Sequence, residues 1–526
     1  MSIHPSQFAV PRQLSINKLK TKLRESILFK EEPPQTVNRI YYDTFDWRLH
    51  DEGETLEQEP KGQDSVYYLR ELESGELRFT QRMNRVPEFV WNIPPTSMRK
   101  YLEPVLEMRA LLPQANINSR IHRLNALDKR RKTVARVVIE DSSVILPNKK
   151  KRRLGRLIKV LPVRGYEKAS ERILELIEKD LSLPPVKDNL ILTAFSILGH
   201  QPGSYTSKLN LHLDPEMRSD EATKVVLQRL LDTMLANEEG TKKDIDSEFL
   251  HDFRVSVRRT RSALSQIKGV FTENVLNRFK TEFAWIGQIT GPTRDMDVYL
   301  LSFDDYRDSL PAAVRADLDP LRSFLQAHQR IEQRALAKAL MSSRYQRLLK
   351  SWRTFLAAPV PKRSRLPNAN RPIARVARER TWRLYRRALK EGKAIKPETP
   401  AVALHDLRKT CKKLRYLMEF FQSLYPPSDI KALIKVLKIL QDNLGDFQDY
   451  EVQVATLKTF SQQMLKEGKT PAETLMAMGI LVESITERQH QARREFAERF
   501  HRFSLPENQK HFRALFAEQP LEALAS

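Results

Sequence analysis

Two short stretches place basic residues at spacings that would put them on one side of a helix. In HDFRVSVRRTR, the residues His251, Arg254, Arg258 and Arg261 follow one another at intervals of three or four positions. At about 100° per residue their side chains fall within an arc of about 80°, which we call the first basic face. A solvated helix face, the ordinary alternative, would intersperse glutamate with lysine at i+4. Stacked guanidinium groups instead indicate the binding of phosphate groups.

The second stretch, HDLRKTCKKLR, repeats this pattern 154 positions later. His405, Arg408, Lys412 and Arg415 occupy the equivalent positions and form the second basic face. Each face has a flanking cation at the same relative position, Arg259 and Lys413 respectively. The two histidines either donate a ring N–H to phosphate or pack as neutral groups.

The duplication extends beyond the basic faces. The segments ITGPTRDMDV and NLGDFQDYEV follow at the same offset, which pairs Gly291 with Gly445 and Asp295 with Asp449. Two long copies indicate an internally duplicated domain of pseudo-twofold character, since solenoid repeats recur every 20–50 residues or so. The two aspartates either orient an arginine of a basic face or cap a helix after a glycine turn, and capping is the role we expect.

Long helices have to carry these faces, and from about residue 216 apolar residues recur every three or four positions. The linker AAPVPKRSRLPNANRP separates two helical repeats, at about 216–360 and 371–515. The helix that begins SDEATK is predicted to end at Gly240. The side opposite the basic faces is predicted to be apolar, with Phe253, Val257, Leu264, Leu407, Cys411, Leu414 and Met418.

Before about residue 165 the pattern favours strands. The runs RIYYDTF, SVYYLREL, ELRFTQRM, EFVWNI and TVARVVIED are short and rich in aromatic and β-branched residues. The predicted fold class is therefore α+β with two domains. A β domain with a C-terminal helix and a linker is expected at 1–205, and an all-α duplicated domain at 213–515.

The charge of the chain limits its partners. With 90 Lys and Arg against 66 Asp and Glu, the net charge of +24 predicts a polyanionic partner: nucleic acid, anionic lipid or a phosphate polymer. No apolar run reaches the roughly 18 residues of a membrane span, and no secretory signal is visible. The single cysteine, Cys411, cannot form an internal disulfide, which fits a cytoplasmic location.

The duplicated segments resemble a known family. HDFRVSVRRTRSAL with ITGPTRDMDV, and HDLRKTCKKLRY with LQDNLGDFQD, are similar to the two halves of a CHAD domain, the conserved-histidine α-helical domain, over about 213–515. The resemblance implies a helical bundle around a basic groove that binds inorganic polyphosphate, on polyphosphate granules. The polyphosphate-binding positions that it implies are His251, Arg254, Arg258, Arg259, Arg261, Arg294, His405, Arg408, Lys412, Lys413 and Arg415, with Lys435 and Lys438 extending the groove.

The first domain resembles a CYTH domain in YYDTFDWRLHDEGETL, LEPVLEMRALL and VARVVIED. That family implies an antiparallel β-tunnel, with LEPVLEMRALL and VARVVIED as later strands, that hydrolyses triphosphates with a divalent metal. Its opening Glu-x-Glu-x-Lys motif is replaced here by Ile3, Pro5 and Gln7. Magnesium and manganese need carboxylate ligands, so we expect no metal site, no cofactor and no catalytic residue. The arginine pair of the family aligns with Glu57 and Glu59, or alternatively with YYLREL, which offers Arg70. Arg109, Glu140 and Asp141 are either remnants of the family's site or members of a strand-end salt bridge.

Three functional hypotheses follow. Polyphosphate binding leads, with granule-associated proteins as further partners. A triphosphatase or tripolyphosphatase using Mg²⁺ or Mn²⁺, whose helical domain recruits polyphosphate, is the alternative. Nonspecific nucleic-acid binding is third, because the basic stretches offer only Phe253 and Tyr416 for base stacking. The oligomeric state is not predicted.

Overall fold

Strand-rich and helix-rich parts of the sequence separate into two structural units, with the boundary between residues 206 and 207. The computed structural model describes residues 7–186, 190–468 and 470–517. The first unit is built on an antiparallel sheet and the second is helical, which confirms the predicted fold class. Ile3 and Pro5 of the opening segment lie outside the described residues, whereas Gln7 begins the first strand.

Nine strands form the sheet of the first unit. Their order is β1-β9-β8-β7-β3-β4-β5-β6, with β2 beside β7, and every neighbouring pair is antiparallel. Four of the five predicted runs lie in strands, and the antiparallel sheet implied by the CYTH resemblance is confirmed. The strands are β1 (Gln7–Ala9), β2 (Phe29–Glu31), β3 (Gln35–Asp43), β4 (Glu54–Lys61), β5 (Asp64–Glu71), β6 (Leu77–Met83), β7 (Leu112–Leu127), β8 (Thr133–Ile145) and β9 (Lys151–Pro162).

Two strand predictions were wrong. EFVWNI forms a short 3₁₀ turn at Val90–Asn92, because prolines close on both sides deny it the ladder donors of a strand. Residues 102–106 of LEPVLEMRALL form the end of the helix α3 (Ser97–Leu106), whose buried residues Met98, Leu102 and Leu106 recur every fourth position, and only Leu112 of this segment belongs to a strand. The segment contains only two of the three buried residues, so its helical period was not evident from the segment alone.

Helices cover the sheet. α1 (Ile16–Ser26) and α4 (Glu167–Glu175) bury apolar residues against β7, β8 and β9, and α5 (Leu190–Leu198) packs on β7 and β8 near Trp47. The short α2 (Arg48–Asp51) follows β3.

The second unit consists of twelve helices within the described residues, besides short 3₁₀ turns. The bounds of the helices repeat at the predicted offset: α7 and α14 are displaced by 154 positions at both ends, and α8 and α15 at their starts. They are α6 (Ser219–Lys243), α7 (Ser247–Gln266), α8 (Glu273–Ile289), α9 (Gly291–Leu301), α10 (Phe303–Asp308), α11 (Asp319–Leu340), α12 (Ser343–Ala357), α13 (Ile373–Lys393), α14 (Ala401–Phe420), α15 (Pro427–Lys466), α16 (Ala472–Phe503) and α17 (Pro506–Phe516). Across the described ranges, none combines the length and apolarity needed to cross a membrane.

Two backbone hydrogen bonds reveal the symmetry of the repeats. Ser219 N donates to Arg371 O at 2.9 Å, and Ile373 N donates to Met217 O at 2.9 Å. The 154-residue offset converts one bond into the other with the repeats exchanged. Each repeat thus donates to the other a hydrogen bond equivalent to the one that it accepts, as pseudo-twofold symmetry requires.

The repeats differ where the glycine turn was predicted. In the first repeat α8 ends at Ile289 and α9 begins at Gly291, because Pro292 lacks the N–H that a continuous helix needs there. The equivalent position is Asp446, so α15 runs unbroken through Gly445. The prediction of a turn at Gly445 was therefore wrong.

The apolar sides of α7 and α14 lie in the core as predicted. All seven residues expected there are at most 1% exposed. Burial raises the pKa of the Cys411 thiol, which is consistent with packing and not with reactivity. The basic faces are thereby turned away from the core.

Gly240 has a packing role and does not end its helix. α6 continues to Lys243, and a Cβ at Gly240 would lie 2.2 Å from Cδ1 of Phe249. We expect Gly240→Ala to lower the free energy of unfolding by about 1–2 kcal/mol, measured by denaturant titration. Gly479→Ala in α16 is the control, because nothing lies within 4 Å of its Cβ. Equal stability of the two variants would contradict the close contact.

Candidate anion-binding site

The two basic faces lie on a pair of helices that pack against each other, α7 and α14. The start of α7 is set by Asp246, whose carboxylate accepts hydrogen bonds from Glu248 N at 3.0 Å and Phe249 N at 3.1 Å. α14 follows Pro400. The burial of the apolar side of each helix places the histidine and the cations on the opposite side.

The centre of the site is formed by Arg258 and Lys412, which are equivalent residues of the two repeats. Burial, with Arg408 and Arg258 as positive neighbours, lowers the pKa of Lys412 to about 8. The cations of the first and second basic faces therefore converge at this point. Their repulsion is only partly offset by Asp449.

The two equivalent arginines next to the centre are held in different ways. Arg254 Nη1 donates to Thr290 Oγ1 at 2.8 Å, and burial with the nearby Arg258 lowers its pKa to about 10. Arg408 Nη2 instead donates to Asp449 Oδ1 at 3.0 Å. Asp449 lies inside α15 and orients this arginine, so its expected role as a cap was wrong.

Asp295, the equivalent of Asp449, also lies inside a helix, five residues into α9. It is close enough to Arg254 and Arg294 to interact with their charges. The capping role was wrong here too. A carboxylate this far from the start of the helix finds no unpaired backbone N–H group that could donate a hydrogen bond to it.

Both histidines contact the equivalent residue through Nδ1, but with opposite hydrogen-bond directions. Arg294 Nη2 lies 3.1 Å from His251 Nδ1, and Arg294 Nη1 donates to Ser247 O at 3.2 Å. Since a guanidinium only donates, Nδ1 of His251 accepts and the ring proton sits on Nε2. In the second repeat His405 Nδ1 contacts Gln448 Oε1, and Gln448 is the equivalent of Arg294.

Two of the expected binding residues, Arg259 and Arg415, share one carboxylate of the chain, that of Glu419. Glu419 Oε2 lies 2.8 Å from Arg259 Nη2, and Glu419 Oε1 lies 3.4 Å from Arg415 Nε. Arg259 Nη1 also donates to Ser207 O at 3.0 Å. Glu419 thus links Arg259, which flanks the first basic face, to Arg415, the last residue of the second basic face.

Other cations of the site have no carboxylate partner. Among the described residues, no carboxylate oxygen lies within 4 Å of the four cations Arg258, Arg261, Lys412 and Lys413. Among the described residues, four arginines of the site also have a buried Nε–H group without a hydrogen-bond acceptor: Arg254, Arg259, Arg408 and Arg415. Excess positive charge and unused donors at one place suit a multivalent anion.

Lys435 and Lys438 are not brought to this centre. Both are exposed on α15, and Lys438 precedes Asp449 by a helical rise of about 16 Å. Within the described residues, neither lysine forms a hydrogen bond or an ion pair with α7 or α14. They remain a predicted extension of the groove.

The sheet of the first unit carries its own charge cluster. Arg39 Nη1 lies 2.6 Å from Glu140 Oε1, and Lys159 Nζ lies 3.4 Å from Glu140 Oε2. Burial would raise the pKa of Glu140, but Lys159 and Arg39 hold it at about 2. Arg70 Nε lies 3.5 Å from Glu57 Oε1. The arginine and lysine side chains here are matched by carboxylates of the same sheet.

The suggested metal-site remnants do not come together. Asp141 pairs with Arg153 and Arg156 on the face of β8 opposite to Glu140, because adjacent strand residues point to opposite sides. Arg109 is buried beside Asp46. In the described ranges, no group of three or more His, Cys, Asp or Glu residues is arranged to hold a metal ion.

Three residues of the site were missed in the sequence: Thr290, Glu419 and Gln448. The 154-residue offset maps Arg294 onto Gln448, so the repeat itself could have identified the latter. Glu419 stands four residues after Arg415 on the second basic face. Nothing local marks Thr290, whose hydroxyl reaches Arg254 from another helix.

The fold and the site define a duplicated α-helical domain with two converging basic faces. Residues 225–458 match the family model of the CHAD domain, which confirms the resemblance in that part of the chain. The search of curated proteins found no match.

Three of the solved structures that are similar to this chain illustrate its likeness to known folds. The CHAD domain from the plant Ricinus communis is 26% identical, with 59% of this chain and 95% of that chain covered and a TM-score of 0.42. PptA from Streptomyces chartreusis is 16% identical, with 54% and 100% covered and a TM-score of 0.42. A putative adenylate cyclase from Bacillus halodurans is 15% identical, with 36% and 96% covered and a TM-score of 0.27.

Proposed function

We propose that the helical unit binds inorganic polyphosphate across α7 and α14, and that the protein associates with polyphosphate granules through this surface. The observation that carries the proposal is the meeting of Arg258 and Lys412 from the two repeats, at a place where burial and positive neighbours lower the pKa of Lys412 to about 8. The match of residues 225–458 to the CHAD domain supports the same substrate class.

A linear phosphate chain suits this arrangement chemically. Each unit carries a negative charge, so a chain can contact cations of both repeats at once. Arg254 and Arg408 present donors in fixed directions because Thr290 and Asp449 hold them, whereas Lys412 and Lys413 supply movable point charges.

Competition binding tests the proposal. Labelled polyphosphate bound to the full chain is displaced with unlabelled polyphosphate, single-stranded RNA or tripolyphosphate at several salt concentrations. We expect polyphosphate to compete best, with an affinity that falls steeply as salt rises because bound cations release counterions. Equal competition by RNA would contradict the proposal.

The triphosphatase alternative requires unpaired cations and a metal site in the sheet, and the charge cluster around Glu140 provides neither arrangement. With tripolyphosphate and Mg²⁺ or Mn²⁺, we expect the full chain to release phosphate no faster than its Glu140→Gln variant. A faster release by the unaltered chain would favour the enzyme.

Nucleic-acid binding by stacking is also not supported by the geometry. Phe253 is fully buried and Tyr416 is 8% exposed, so neither offers a ring face to a base. A charge-only interaction with RNA is the outcome that the competition experiment would detect.

A further inference from the structure

One carboxylate of the anion-binding site, that of Glu419, has no equivalent in the other half. Glu419 continues the second basic face four residues after Arg415, and its equivalent in the first repeat is Ser265. Glu419 contacts Arg259 and Arg415, whose equivalents are Lys413 and Arg261. Pseudo-twofold symmetry would give both halves the same charges, but this position breaks it.

The contacts of Glu419 are partly shielded from solvent. The side chains of Arg259, Glu419 and Arg415 are 16%, 19% and 24% exposed, so their attraction is stronger than that of a surface pair. The Nε–H groups of both arginines nevertheless lack a hydrogen-bond acceptor among the described residues. One carboxylate therefore engages two guanidinium groups without saturating them.

The equivalent position in the first repeat has no such group. Ser265 Oγ donates to Arg261 O at 2.7 Å and is committed to its own helix. Within the described residues, neither Arg261 nor Lys413 has a carboxylate within 4 Å. The positive charge of this half remains uncompensated.

A carboxylate between two guanidinium groups uses the donors that a phosphate would use. Its two oxygens and single charge make Glu419 an internal substitute for one phosphate group of a ligand. A polyanion must displace Glu419 to reach Arg259 and Arg415, whereas it meets no competitor at Arg261 and Lys413.

We propose that Glu419 is a built-in competitor that weakens anion binding in its half of the site and directs the phosphates to the half around Arg261 and Lys413. This inference rests on the proposed function and adds to it a residue that determines affinity and position.

A reciprocal pair of variants tests the role of Glu419. Glu419→Gln removes the carboxylate, and Ser265→Glu places one at the equivalent position. With labelled polyphosphate and the full chain, we expect Glu419→Gln to tighten binding about fivefold and Ser265→Glu to weaken it about fivefold. The slope of log affinity against log salt should steepen in the first variant and become shallower in the second, by about 0.7–0.9 per phosphate contact.

The outcomes separate this inference from the proposed function. If the unaltered chain does not bind polyphosphate, both are overturned. If it binds but a folded Glu419→Gln variant binds no more tightly, Glu419 positions Arg259 and does not compete, and only the present inference fails. Should Glu419→Gln fail to fold, as judged by circular dichroism, Ser265→Glu decides, and unchanged affinity in that variant overturns the inference.

Discussion

Replacing Arg258 and Lys412 together by glutamate is expected to weaken polyphosphate binding by more than about 100-fold. The two residues are equivalent in the repeats and meet at the centre of the site, so the variant changes the charge of both basic faces where they converge. Both side chains lie outside the core, and the new carboxylates would also pair with Arg254 and Arg408 and remove these from the ligand.

The matched control is Arg347→Glu with Lys350→Glu. These residues are exposed on α12, outside the two basic faces, and the variant has the same net charge. We expect it to lose less than about fivefold in affinity, because distant charges are screened by salt. If both double variants lost affinity equally, overall charge and not the converging faces would drive binding.

Lys412→Met is expected to stabilise the protein and to weaken binding about tenfold. Burial and positive neighbours lower the pKa of Lys412 to about 8, so at neutral pH the folded protein carries an unfavourable charge. Allowing for its partial exposure, we expect the free energy of unfolding to rise by about 1–2 kcal/mol in denaturant titration. If Lys412→Met weakened binding but did not raise the free energy of unfolding, Lys412 would serve only to cover apolar surface.

The same lysine predicts a pH dependence. Because its pKa is lower in the folded than in the unfolded chain, its unfavourable effect on stability is full below about pH 8 and disappears as the pH rises towards its ordinary value of about 10.5. The anion binds the protonated form, so affinity should be highest below about pH 8 and fall above it. Lys412→Arg should keep its affinity up to about pH 9, since arginine stays charged. A parallel decline in both proteins would assign the effect to another group.

Much of the helical unit could be predicted because its determinants are local or periodic. The spacing of His251, Arg254, Arg258 and Arg261 places them on one side of any α-helix, whatever surrounds it. The apolar residues opposite them, from Phe253 to Leu264, are buried as that period requires. The 154-residue offset recurs in the helix bounds because equivalent sequences begin and end helices at equivalent residues.

Predictions failed in two situations: where a single residue interrupted or continued a helix, and where the spacing of buried residues in a segment was helical although a strand was expected. Pro292 divides one repeat into α8 and α9, while Asp446 leaves α15 continuous. Leu102 and Leu106 belong to a helix although the segment that contains them, LEPVLEMRALL, resembles a strand of the CYTH family. Short apolar runs suit both structures, and only packing against β4, β5 and β6 distinguished them.

The amino-acid sequence alone determined that this protein has a duplicated helical domain and that each copy carries cations on one side of a helix. Which of those cations are neutralised was decided only by the tertiary structure. Arg259 meets Glu419 across 160 positions of the chain, and Arg39 meets Glu140 across 101. Helical periodicity acts over a few residues, whereas attraction between charges depends on distance through space, which only the folded chain sets.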